Sequence, residues 1–256
     1  MALSGVETMS LTVHQFPCLS DNYGFLVRDD ATGTTATIDT PDADAILAQL
    51  DRLDWKLDLI LNTHWHPDHA GGNAAIQAAT GATIVGPQEV TRIAPLDRAV
   101  GQGDTVMLGG TALTVIDTGG HTLGHIAYHD AADHIAFVGD TLFALGCGRL
   151  FEGTAEQMWG SLARLAALPD DTTVYCAHEY TAANARFALS VDDAPALKDR
   201  ARAVFAARER GEATVPTTIG LEKATNPFLR APLLRPHLAP AEAFGEIRAA
   251  KDGFKG

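Results

Sequence analysis

Apolar residues in the first two thirds of the chain fall in short runs bounded by Gly, Asp and Pro. Runs of this kind, rich in Val, Ile, Thr and Phe, predict strands. They cover Leu11–Phe16, Gly24–Arg28, Thr35–Asp39, Leu57–Asn62, Ala82–Val85, Ala112–Ile116, Ile126–His129, Ile135–Val138 and Thr173–Cys176. Between several of them the apolar spacing becomes helical. Pro41 opens Asp42–Leu53, with Ala45, Ile46 and Leu50 at helical spacing. Ala70–Thr80 reads as a second helix, stopped by Gly81, and Thr154–Leu168 as a third, stopped by Pro169. Thr154 and Gln157 have the spacing of a capping box. Beyond about residue 178 the strand signals vanish: Thr181–Ser190, Ala194–Arg210 and Glu242–Lys251 read as helices, and 211–240, with five prolines, as a loop-rich connection. The pattern predicts an α/β domain over 1–178 followed by a smaller, mostly helical one over 179–256.

Composition narrows the class. At 256 residues, 46% hydrophobic and 20% charged, the chain has the make-up of a globular protein with a substantial core, which excludes a disordered tail, a collagen-like repeat and a coiled coil. No run of about 18 apolar residues predicts a membrane span. The net charge of −13 argues against a nucleic-acid partner and requires that any anionic ligand meet a local cluster of cations. Cys18, Cys147 and Cys176 are odd in number and unpatterned in spacing, so they read as reduced thiols that fill small packing spaces. The opening MALSGVETMS has no basic segment followed by an apolar run, which together with the thiols points to a cytoplasmic protein; Met9 offers a second start. A monomer is the default expectation.

Candidate chemistry concentrates in Thr63-His64-Trp65-His66-Pro67-Asp68-His69, directly after an apolar strand. Pro67 disfavours helix at His66, so a loop is expected until Asp68 or His69, able to turn several side chains toward one point. Gly71-Gly72 allow close packing behind it. Imidazole and carboxylate are ordinary ligands of zinc and iron. Three further candidates follow strands: His121, Asp140 and His178. Seven such groups divide into two sites of three with one carboxylate between them. His125 reads as a supporting or structural group, and His14, His129, His134 and His237 as structural or solvent-facing.

The order and spacing of His64-x-His66-x-Asp68-His69, His121, Asp140 and His178 resemble the metallo-β-lactamase superfamily signature. The resemblance implies an αββα sandwich with two divalent ions at one edge. His64, His66 and His121 would hold the first, Asp68, His69 and His178 the second, and Asp140 with a water or hydroxide would bridge them. It also implies that the hydroxide attacks an acyl carbonyl and that Asp68 orients it. The ligands leave zinc, iron and manganese open.

Further segments resemble the hydroxyacylglutathione hydrolase (glyoxalase II) family: Gly146-Cys147-Gly148-Arg149-Leu150-Phe151-Glu152-Gly153-Thr154; His178-Glu179-Tyr180-Thr181 with Asn184 and Phe187; Asn226-Pro227-Phe228-Leu229-Arg230; Arg248-x-x-Lys251-Asp252-x-Phe254; and Ser20-Asp21-Asn22-Tyr23. Together with the metal loop they span essentially the whole chain. The resemblance implies conversion of S-D-lactoylglutathione and water to D-lactate and glutathione, in methylglyoxal detoxification, with Arg149, Tyr180, Arg248 and Lys251 binding the glutathione part. Arg149 and Phe151 stand where some relatives have Lys and Tyr; Arg keeps the cation, whereas Phe151 lacks a hydroxyl. The competing readings are a one-iron persulfide dioxygenase or a lactonase of the same superfamily, and a glutathione-conjugate binder with a dead site; the last conflicts with the presence of all seven candidate ligands.

Overall fold

The computed structural model describes residues 10–255. The opening segment and the second start at Met9 lie outside the described residues. One mixed sheet runs β1 (Leu11–Cys18), β2 (Asn22–Asp29), β3 (Thr35–Ile38), β4 (Leu59–Leu61), β5 (Thr83–Gly86) and β6 (Arg98–Ala99) in spatial order. Strands β1 to β3 are antiparallel neighbours, whereas β3 to β6 run parallel. The second sheet holds β7 (Thr105–Leu108), β8 (Thr111–Asp117), β9 (Ile126–Asp130), β10 (Ile135–Gly139), β13 (Thr173–Cys176) and β14 (Thr217–Thr218). Between β10 and β13 a two-stranded hairpin, β11 (Leu142–Phe143) and β12 (Gly146–Cys147), stands apart from both sheets.

Period-two alternation explains the layers. In the first sheet Val27, Leu61 and Val85 join one buried cluster with Leu113, Val115 and Phe137 of the second sheet. Their neighbours Leu26, Ile60 and Ile84 point the other way, onto Ile46 and Leu50 of α1 (Ala43–Leu53) and Ile76 of α3 (Asn73–Thr80). Met158, Leu162 and Leu165 of α4 (Ala155–Ala166) complete the sheet–sheet cluster with Ala243, Phe244 and Ile247 of α9 (Pro240–Asp252). The chain is therefore an αββα sandwich with helices beyond it, the expected fold class.

Local sequence accounts for the boundaries. Thr154 caps α4: its hydroxyl accepts from Gln157 N at 3.2 Å and its own N donates to Gln157 Oε1 at 2.8 Å. Three expectations need correction. A helix, α2 (Pro67–Ala70), starts at Pro67 where a loop was expected, because proline's missing N–H is no loss in a first helical turn. Gly71 and Gly72 then separate α2 from α3, so Ala70–Thr80 is two helices. The span 211–240 is not a plain connection: it holds β14, α7 (Ile219–Thr225) and α8 (Ala231–Leu234), and the second sheet therefore gains a strand beyond residue 178. Helices α5 (Thr181–Val191) and α6 (Pro195–Glu209) follow β13 and pack on one another through Ala185, Ala188, Leu197 and Ala201.

Candidate metal centre

The seven predicted ligands arrive from five places: the end of β4, the first turn of α2, the loop after β8, the end of β10 and the end of β13. Strand ends converge at one edge of the sandwich, which is where α/β sheets gather their sites. His64 Nε2 and His121 Nε2 each lie 3.0 Å from His66 Nδ1. Asp140 faces both halves: Oδ2 is 3.3 Å from His121 Nε2, and Oδ1 is 3.4 Å from His69 Nε2 and 3.3 Å from His178 Nε2. Asp68 Oδ2 lies 3.5 Å from His178 Nε2 and 3.7 Å from His69 Nε2. Two triads, His64–His66–His121 and Asp68–His69–His178, each have their donor atoms within 4.8 Å of one another.

Groups outside the cluster set which nitrogen of each ring carries the proton. The Nδ1 of His69 donates to Asp39 Oδ2 at 2.8 Å, that of His178 to Asp21 Oδ1 at 2.9 Å, and that of His121 to the Arg149 carbonyl at 2.9 Å. Thr63 Oγ1 donates to Asp39 Oδ2 at 2.8 Å, leaving a lone pair for His64 Nδ1 at 3.1 Å. Four Nε2 atoms are thereby aimed inward, each with a lone pair to offer when its ring is neutral. His69 Nε2 and Asp140 Oδ1 are buried with no hydrogen-bond partner among the described residues, although buried polar atoms are almost always paired. A lone-pair cluster with orphaned members suits a cation, and the mixed His/Asp donors suit zinc, iron or manganese.

Electrostatics divides the two triads. Burial, reinforced by neighbouring imidazoles, pushes His64 well below the ordinary value and His121 below it despite Asp140; His66 is lowered as well. Burial alone would push His69 down too, but Asp140, Asp39 and Asp68 reverse this and lift it to about 9. His178 is raised in the same way: burial would lower it, but Asp140 and Asp21 together lift it. Burial would raise Asp140, yet the surrounding imidazoles hold it far below the usual carboxylate range.

The other predicted residues sit beside the centre. Tyr180 stacks on His178 with ring centroids 4.6 Å apart. Arg149, Tyr180, Arg248 and Lys251 line, with His121 and Asp140, a cavity of about 450 Å³ that opens from the centre. Phe151 covers the rings of His66 and His121 at 5.6 and 5.1 Å. His125 is buried and stacks on His64 with ring centroids 4.6 Å apart; its Nε2 accepts from Asp140 N at 3.1 Å, so it fixes the backbone of that residue. His134 meets Asp171 at the surface and His129 is buried away from the centre. All three cysteines are free and buried, and burial pushes Cys147 up to about 11 and Cys18 and Cys176 up to about 12, so they remain thiols. Sequence reasoning missed Asp39 and the orienting role of Asp21; Asp39 ends β3 as Asp140 ends β10, and the same strand-end rule marks both.

Residues 30–178 match the family described as Metallo-beta-lactamase superfamily, and the fold and the His/Asp clusters make the chain a metal-binding enzyme of that class. Residues 179–254 match Hydroxyacylglutathione hydrolase C-terminus. A hydroxyacylglutathione hydrolase of Maricaulis maris is 58% identical over 253 residues, 95% of this chain and 99% of that one. The chain belongs to the hydroxyacylglutathione hydrolase family. Among solved structures, ETHE1 from Myxococcus xanthus superposes with a TM-score of 0.68 at 28% identity, covering 93% of this chain and 90% of that one. TTHA1623 in a di-iron-bound form gives 0.61 at 25% identity, covering 85% of this chain and all of that one (100%).

Proposed function

We propose that the chain hydrolyses S-D-lactoylglutathione to D-lactate and glutathione, with its metal centre at the thioester and the cationic cavity around the glutathione part. The observation that carries this reading is the continuity of the two: His121 and Asp140 of the centre line the same cavity as Arg149, Tyr180, Arg248 and Lys251. Glutathione thioesters present two carboxylates and one ammonium. Lys251 is lowered by burial and then by Arg248 and Arg149 beside it, so the cavity holds mutually repelling cations that an anion would relieve. Charge-assisted bonds from these side chains offset the repulsion expected from a chain at −13.

In this reading His64, His66 and His121 would hold one divalent ion and Asp68, His69 and His178 a second, with Asp140 shared between the two sets. The two-ion count is supported by the opposed oxygens of Asp140 and by the di-iron form of TTHA1623. Bound there, such ions supply Lewis acidity and a water-derived nucleophile near pH 7. The protein's part is geometric. Asp68 is the exposed carboxylate of the pair, at 39% against 9% for Asp140, so it is the one that orients an incoming water. Asn22 Nδ2 steadies it from 3.2 Å. Tyr180 offers its phenol to the peptide part of the thiol. Residues 1–178 carry the centre and 179–256 complete the cavity. Zinc is the proposed metal, with iron or manganese as substitutes, in a cytoplasmic monomer without nucleic-acid or membrane partners.

The test is hydrolysis of S-D-lactoylglutathione, followed at the thioester absorbance, on protein whose metals are quantified in the same preparation. Turnover with about two metals per chain, lost in Asp140→Ala, is expected. A fully loaded protein without turnover overturns the reading, and oxygen uptake with glutathione persulfide by a one-iron protein would replace it.

A further inference from the structure

The hairpin β11–β12 connects two parts of the metal centre. Asp140 precedes it by two residues, and Arg149, whose carbonyl holds His121 Nδ1 at 2.9 Å, follows it by two. Its base is closed tightly: Gly148 N donates to Thr141 O at 3.2 Å, and a Cβ on Gly148 would lie 2.0 Å from the Asp140 carbonyl. The ends therefore cannot move independently of the hairpin.

The tip is held from elsewhere. Leu145, fully buried, enters the core of the α5–α6 pair among Ala185, Ala188, Leu197, Ala201 and Val204. It does so at φ 58°, a left-handed conformation that leucine adopts only when its surroundings impose it. Helical side chains satisfy the tip's backbone. Asn184 Nδ2 donates to Ala144 O at 3.1 Å, and Leu145 N donates to Glu222 Oε2 at 2.9 Å. Asn226 Nδ2 donates to Gly146 O at 2.9 Å and Phe143 O at 3.1 Å. Glu222 is itself fixed, fully buried against Thr217 and Arg200. Gly146 admits Asn184, whose Nδ2 would lie 2.3 Å from a Cβ there.

We propose that Asn226, Glu222 and Asn184 are positioning residues for the metal centre, acting through the hairpin on Asp140 and on the carbonyl that orients His121. Being buried and short, with a two-residue turn, the hairpin has no slack to absorb a displaced tip. The inference rests on the proposed function only where it concerns turnover; metal retention tests it separately.

The experiment uses the full-length, metal-loaded chain carrying Asn226→Ala, with Asn184→Ala as the milder variant that loses one hydrogen bond from an intact helix. Metal retention is measured against a chelator. Turnover is measured on S-D-lactoylglutathione and on a short acyl thioester of a simple alkyl thiol, with folding checked by circular dichroism. Groups that orient metal ligands are worth about 10–100-fold in affinity or activity. The expected result for Asn226→Ala is about a tenfold loss of metal affinity and of kcat on both thioesters, with KM for the glutathione thioester within about twofold. Asn184→Ala moves the same way by less, and decides the matter if Asn226→Ala does not fold. Folded variants that keep wild-type metal affinity and kcat, or that raise only the KM for the glutathione thioester, overturn the proposal. A wild-type protein that does not hydrolyse the thioester refutes the function instead, leaving chelator resistance to judge the inference.

Discussion

Replacing Asp39 by Asn should weaken one half of the metal centre and spare most of the other. The Asp39 carboxylate is buried and accepts three bonds: from Thr63 N at 2.7 Å, from Thr63 Oγ1 at 2.8 Å and from His69 Nδ1 at 2.8 Å. An amide of the same shape keeps one oxygen. With that oxygen on Thr63 N, its NH2 faces Thr63 Oγ1 and His69. The threonine hydroxyl rotates to accept; His69 Nδ1–H cannot. Neutral His69 then carries its proton on Nε2, the atom aimed at Asp68 and Asp140, and a metal there would force that proton back onto Nδ1 against the amide NH2. The backbone stays put, because Asn tolerates φ near the 58° that Asp39 adopts.

Losing such an orienting carboxylate is worth about 10–100-fold in metal affinity, or roughly 1.4–2.8 kcal/mol at about 1.4 kcal/mol per tenfold. The loss should fall on Asp68–His69–His178. His64, reached only through the Thr63 hydroxyl, should change much less. Stepwise chelation with metal quantification resolves this as a weakened second ion beside a nearly unchanged first. Two ions leaving Asp39→Asn protein at the wild-type chelator concentrations would refute the tautomer argument.

Metal loading at pH 7.5 should release protons unequally. His69 at about 9 holds a proton in metal-free protein, whereas His64, His66 and His121 are depressed and already neutral. Calorimetric titration in buffers of different ionisation enthalpy should show proton release with the Asp68–His69–His178 ion and little with the other, and that ion's affinity should fall as pH drops below about 9. Equal release on both steps contradicts the assignment. Lys251→Ala removes a cation lining the cavity and should raise KM for S-D-lactoylglutathione at least tenfold, on the order of the 1.5–3 kcal/mol of a charged hydrogen bond; steady-state kinetics with an unchanged KM would exclude that contact. Leu145→Ala leaves a void in the α5–α6 core and should destabilise by about 3 kcal/mol, read from urea midpoints at constant m-value.

The candidate ligands stood out because four of them crowd into one segment after an apolar strand and the other three repeat the strand-end position. The groups that orient them did not. Asp21 reaches His178 across 157 residues, Asp39 reaches His69 across 30, and the Arg149 carbonyl reaches His121 across 28. Each is a single-atom contact between distant segments, and no periodicity encodes it. The nine predicted strands all exist, but β7 was missed although Gly109-Gly110 links it to β8 as a hairpin turn would. Helices α7 and α8 were hidden by proline count. Pro232 lies in the first turn of α8, where proline starts a helix rather than breaking it.

Arg248 and Lys251 lie three apart on α9, and their spacing predicts one shared face, yet they do different work. Arg248 is only 5% exposed: its guanidinium donates to the Cys147 carbonyl at 3.0 Å and to Asp252 at 2.8 Å, leaving Nε without a partner. Lys251 gives one proton to the Ala183 carbonyl at 3.1 Å and rests over Phe187 and Phe254, with two donors left. Lys251 is thus the freer cation, and Arg248 bonds α9 to β12. The hairpin is then held at its tip by α5 and α7 and on its flank by α9. A helix that lines the cavity beside the centre is in this way bonded to the hairpin that presents Asp140. Selecting a substrate by the half that is not attacked requires no moving part under this arrangement; it requires that the hairpin be rigid, and the burial of every residue from Leu142 to Cys147 makes it so.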